Sequence, residues 1–123
     1  MGNTVREPVY IIYTDGGCAV NPGGRGGCAC VIIDAETGEQ KQLSEGYFAS
    51  TNNRMEISAV ILALTNIQKK SVPVRVYSDS EYVIRTMLGE YRRKKNFDLW
   101  AALDAAAAGY SVESVTPCLK AGA

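Results

Sequence analysis

Asp15 closes an apolar stretch, YIIYTD at residues 10–15, and Asp79 closes a second, VRVYSD at 74–79. Glu56 lies between them in the chain, in the first turns of the largely apolar segment TNNRMEISAVILALTNIQ at 51–68. Each has an ordinary explanation by itself. Asp15 stands beside Gly16 and Gly17, which is common turn chemistry; Asp79 can cap a helix; Glu56 suits the positive end of a helix dipole. If the two apolar stretches are neighbouring parallel strands, however, their C-terminal ends coincide, and a helix packed across them brings Glu56 beside both aspartates. Three crowded carboxylates repel one another, and one takes up a proton unless a cation compensates. The matching cation is a hard divalent ion with oxygen ligands, magnesium above all.

Other chemistries are narrowed by what the chain lacks. It contains no histidine, which removes Ser-His and Cys-His nucleophiles and any histidine general base. Of the four cysteines, Cys28 and Cys30 alternate along an apparent strand, GGCACVII, and read as small buried thiols on one face. Paired Cys-x-x-Cys spacing of the kind that holds zinc is missing. Thirteen basic and thirteen acidic residues cancel, so binding to nucleic acid has to rely on local patches instead of a basic surplus. No apolar run approaches the length of a membrane span, and the N-terminal residues MGNTVREP lack a signal-peptide core. A soluble, cytoplasmic protein without membrane contact is expected.

A chain of 123 residues suits a single domain. β-Branched and aromatic residues place a first strand at about 8–15 and a second over CACVIID, and ETGE turns the chain into a third, QKQLSEGYF. At residue 51 the period changes. Met55, Ile57, Val60, Ile61, Leu64 and Ile67 recur largely at three- and four-residue spacing, as on a helix with one buried face. Thr51 or Asn52 can cap its start. A strand VPVRVYSD follows, then a helix SEYVIRTML between Ser80 and Gly89, a helix NFDLWAALDAAAAG closed by Gly109, and a last strand YSVESVTP. The order is βββαβααβ, an α/β (α+β) arrangement.

The segments YTDGGCAVNPGG, TNNRMEISAVILAL, YSDSEYV and NFDLW resemble, in order and spacing, successive motifs of type 1 ribonuclease H. The resemblance spans most of residues 9–117. It implies an RNase H-like fold: a five-stranded mixed sheet with the first and fourth strands adjacent and parallel, flanked by helices. It also implies endonucleolytic cutting of the RNA strand of an RNA–DNA hybrid with two magnesium ions, manganese being able to substitute. Two metals roughly 4 Å apart activate a water and stabilise the leaving oxygen of an in-line displacement. On this resemblance Asp15 bridges both ions, Glu56 and Asp79 flank them, the Gly16 carbonyl adds an oxygen, and the glycines let the substrate backbone approach. Asn21, Asn52 and Asn53 match positions that read the hybrid's minor groove and its 2′-hydroxyls; Asn52 and Asn53 can equally cap the helix. Thr51 and Asn96 match a pocket for a DNA-strand phosphate. Leu99 and Trp100 read as core anchors.

The departures from the family pattern carry weight. A fourth metal-binding aspartate and a histidine normally follow, on and before a C-terminal helix, where this chain reads VTPCLKAGA. Glu81 stands where glutamine is common, and Ala49 where an arginine often joins the phosphate pocket. Arg92, Arg93, Lys94 and Lys95 form a short basic run, either a remnant of a hybrid-gripping handle or a solvated face. Weakened cleavage is therefore expected. The competing readings are a non-catalytic hybrid-binding or partner-binding module, and a homodimer that covers apolar surface beside the last strand.

Overall fold

Alternating side chains build the first strand. Ile12 is fully buried while Tyr13, next in the chain and on the opposite face, is 48% exposed, as a strand with one core-facing side requires. The structure, a computed structural model, describes residues 7–116. Its elements are β1 (Tyr10–Cys18), β2 (Gly26–Asp34), β3 (Gln40–Tyr47), α1 (Asn52–Leu64), β4 (Pro73–Ser78), α2 (Glu81–Met87), α3 (Phe97–Ala107) and β5 (Ser111–Val115). The strands form one sheet in the order β3-β2-β1-β4-β5. β1 runs antiparallel to β2 and parallel to β4, and β5 is parallel to β4. The expected fold and element order are those observed. The segment from 117 onward, including Cys118, lies outside the described residues.

The core joins one sheet face to the helices. Ile12, Cys30, Ile32, Val74 and Val76 pack in one cluster with Ile57, Val60 and Leu64 of α1, Val83 of α2, and Trp100 and Leu103 of α3. Trp100 is 1% exposed and Leu99 packs against this cluster, so both are the anchors expected. Thr51 is the N-cap of α1, its side chain accepting from the Arg54 N–H at 3.1 Å. Gly89 and Gly109, with φ of 83° and 87°, follow α2 and α3 in the left-handed region that glycine tolerates.

The helix read through Ile67 ends at Leu64 and β2 begins two residues early at Gly26; a third shifted boundary bears on the site. β1 does not stop at Asp15; it continues through Gly16 and Gly17 to Cys18, paired with β2 out to Cys18↔Gly26. The parallel ladder to β4 ends earlier, at Thr14↔Ser78. Gly16 answers to helix packing: a Cβ there would lie 2.4 Å from the backbone carbon and oxygen of Met55 and 2.8 Å from the Glu56 nitrogen. The absent side chain is what lets the N-terminal turns of α1 rest on the strand.

Cys28 and Cys30 are each 3% exposed, and burial raises both thiols, Cys28 to about 11 with the charges of Glu45 and Cys30 adding. Since the thiolate is the nucleophile, a maleimide at pH 7 is expected to leave both unmodified until the chain unfolds. Peptide mapping after native and denatured labelling checks this.

Among the described residues no helix is long and apolar enough to cross a membrane. Among the described residues the most exposed large apolar side chains, Phe48 at 95%, Val20 at 65% and Phe97 at 61%, lie in loops and at the start of α3.

Candidate active site

The site forms where the two central parallel strands end. Because Thr14 and Ser78 are the last β1–β4 partners, Asp15 and Asp79 leave the ladder from adjacent positions at the same edge. The Thr14 hydroxyl donates to the Tyr77 carbonyl at 3.1 Å and ties the strands together just before they part. Glu56 comes from α1, whose first turns are seated on Gly16. Its carboxyl is raised above the usual range, chiefly by burial; a hydrogen bond with the Ser80 side chain opposes this, and the charges of both Asp15 and Asp79 push it further up. The fields of the two aspartates therefore meet at Glu56.

Ser80 was legible in the sequence only as a helix cap. It does cap α2, accepting from the Val83 N–H at 3.1 Å, and its backbone N–H donates to Ser78 Oγ at 3.0 Å. Its influence on the Glu56 carboxyl was not foreseeable, because the start of α2 and α1 are distant in sequence.

The donor set fits a hard divalent cation, being carboxylate oxygens throughout. Among the described residues no three acidic, histidine or cysteine side chains are drawn together into a closed metal cage. The electrostatic coupling of Glu56 and this open spacing are compatible, since like charges act on one another well beyond ligand–ligand distance.

The predicted substrate-facing residues divide in a definite way. Asn52 does not cap α1. Its Oδ1 accepts from the Cys18 N–H at 2.8 Å, and its own backbone N–H donates to Asn21 Oδ1 at 3.0 Å. Both amide oxygens are engaged by backbone, which turns the amide nitrogens to other partners. Asn53 is exposed and borders a depression with Tyr82, Tyr91, Arg92, Lys94 and Lys95. Thr51 and Asn96 are joined through Arg54, which donates from its backbone N–H to Thr51 Oγ1 at 3.1 Å and from Nη1 to Asn96 Oδ1 at 3.2 Å.

The basic run is not a uniform handle. Arg93 is withdrawn into a pair with Asp104 at 2.7 Å, over the Trp100 ring, while Arg92, Lys94 and Lys95 have no ion pair among the described residues. Glu81 is partly offset by Arg85, one helical turn on, at 3.4 Å.

The family model for RNase H matches residues 7–113. The chain belongs to the ribonuclease H family. A ribonuclease H of Pseudomonas paraeruginosa is 41% identical to it over 123 aligned positions, covering 89% of this chain and 80% of that protein. One from Neorickettsia sennetsu is also 41% identical, over 84% of this chain and 76% of its own. Among solved structures, LC11-RNase H1 in complex with an RNA/DNA hybrid superposes with a TM-score of 0.73 at 29% identity, covering 87% of this chain and 83% of that one. The N-terminal RNase H domain of a Mycobacterium tuberculosis protein gives a TM-score of 0.77 at 23% identity, over 95% and 88%, and speaks for the fold. In this ribonuclease H family member, the acidic edge, the asparagine pair and the α1–α3 junction all lie in the matched region.

Proposed function

We propose that this chain hydrolyses the RNA strand of RNA–DNA hybrids at Asp15, Glu56 and Asp79, with two divalent ions as cofactors. The observation that carries the reading is the convergence of the two aspartate charges on Glu56 at the edge where β1 and β4 end. Bound there, the ions would activate a water and stabilise the leaving oxygen. Asp15, Glu56 and Asp79, with the Gly16 carbonyl as a further oxygen, would hold them. The Ser80 hydroxyl, which caps α2, also favours the charged form of Glu56.

The remaining residues act on the substrate. With their oxygens fixed by backbone N–H groups, Asn21 and Asn52 are set to offer amide donors to the minor groove, beside Asn53. Thr51 and Asn96 take a phosphate of the DNA strand. Arg92, Lys94 and Lys95, free of carboxylate partners among the described residues, attract the backbone electrostatically. A cytoplasmic setting is part of the same proposal; a homodimer is not required by it.

The competing module, which binds hybrid without cutting, draws on the open spacing of the carboxylates. End-labelled hybrid, double-stranded RNA and double-stranded DNA, each incubated with magnesium or manganese, separate the two. Cleavage of the RNA strand of the hybrid alone is expected. Manganese should help disproportionately, because magnesium demands near-ideal octahedral geometry from its ligands. A wild-type chain that binds hybrid but never cuts it, even in manganese, assigns it to the binding class.

A further inference from the structure

Asn96 opens α3 with a left-handed backbone, φ 60° and ψ 35°, and its side chain makes no cap hydrogen bond. Asparagine is among the best helix caps, so an uncapped start with asparagine at the cap means that the amide is committed elsewhere. Its Oδ1 accepts from Arg54 Nη1 at 3.2 Å and its Nδ2 donates to the Tyr82 hydroxyl at 3.2 Å. The same hydroxyl accepts from Trp100 Nε1 at 3.3 Å. Arg54 in turn is gripped by Asp98 through two bonds, Nη1 to Oδ1 at 3.0 Å and Nη2 to Oδ2 at 2.7 Å.

These partners decide which way the amide faces. A guanidinium has donors only, so the end of Asn96 that meets Arg54 has to be the oxygen; a flip would set N–H against N–H. Trp100 likewise only donates, which leaves the Tyr82 oxygen as an acceptor for the Asn96 nitrogen. One N–H of that nitrogen goes to Tyr82, and the second remains. An anion is bound by the nitrogen end of an amide and repelled by its oxygen. The guanidinium itself is largely neutralised by Asp98, so its value to the site is orientation more than charge.

We propose that Arg54 is a positioning residue for the phosphate contact: held by Asp98, it locks the Asn96 amide with its nitrogen available to a DNA-strand phosphate. With Ala49 in the place where relatives often carry arginine, the pocket depends on this neutral donor being correctly turned. The inference rests on the reading of Thr51 and Asn96 given under the proposed function.

The test is steady-state cleavage of a hybrid by Arg54→Gln, Arg54→Lys, Asn96→Ala and the Arg54→Gln/Asn96→Ala double variant, with thermal unfolding of each. Glutamine can both accept and donate and so frees the amide to flip, whereas lysine is again donor-only. Arg54→Gln is expected to raise KM roughly tenfold with kcat within about twofold, the pattern of lost uniform binding. Arg54→Lys should recover most of that affinity, and the double variant should be no worse than Asn96→Ala. Both Arg54 variants lose the bidentate pair to Asp98, so a merely structural role would lower stability and affinity equally in both. Equal KM for the lysine and glutamine variants, or an unchanged KM in Arg54→Gln, overturns the assignment while leaving the enzyme reading intact. A wild-type chain that neither binds nor cuts hybrid overturns both.

Discussion

Asp15→Asn is expected to abolish hybrid cleavage, by roughly 10³-fold or more, while leaving the fold in place. Metal-assisted charge stabilisation is worth several kcal/mol of barrier, and each 1.36 kcal/mol is about tenfold in rate. The substitution removes one of the charges proposed to hold the ions and nearly preserves side-chain shape. Its effect on stability has the opposite sign. The Glu56 carboxyl is raised in the folded chain, with Asp15 among the causes. A raised acid disfavours its charged form in the native state, a penalty present at neutral pH and absent below the unfolded carboxyl's pKa of about 4. Removing the Asp15 charge should lower that penalty, so metal-free Asp15→Asn should be as stable as wild type at pH 4 and at least as stable at pH 7. Urea midpoints at the two pH values, beside the cleavage assay, check both halves. A variant that still cuts, or one that fails to fold, contradicts the role given to Asp15.

Gly16→Ala should damage the protein through packing alone. The added methyl would meet the backbone carbon and oxygen of Met55 at 2.4 Å, and backbone atoms within a helix cannot rotate aside as a side-chain tip can. Overpacking of this kind costs about 1–3 kcal/mol, occasionally more, and the upper end is expected here. The strand preference gained on replacing glycine, about 0.5–1 kcal/mol, does not offset it. Because the displaced turn carries Glu56, cleavage should fall as well. Gly27→Ala is the control: a Cβ there would find only the Glu45 carbonyl oxygen, at 3.6 Å, an ordinary contact. Equal urea midpoints for the two variants would refute the account of Gly16.

What sequence alone determined about this protein was whatever repeats at short range. The change of period at residue 51, the alternation of Cys28 and Cys30, the cap at Thr51 and the stops at Gly89 and Gly109 depend on neighbours a few residues away, and local geometry suffices to read them. The motif order supplied the family and, with it, the parallel pairing of β1 and β4. Tertiary structure decided the rest. The strand continued past Asp15 because β2 supplies an antiparallel partner after β4 has ended. Gly16 is glycine because a helix 40 residues further along the chain lies on it. Asn52 turned from cap to brace once the Cys18 N–H came within 2.8 Å of its oxygen. Arg93 left the basic run for Asp104, and Arg54 reached across to Asn96 and Asp98. Each of these pairs is made only when separate elements pack in one register, and no periodicity within either segment records which partner the other will bring.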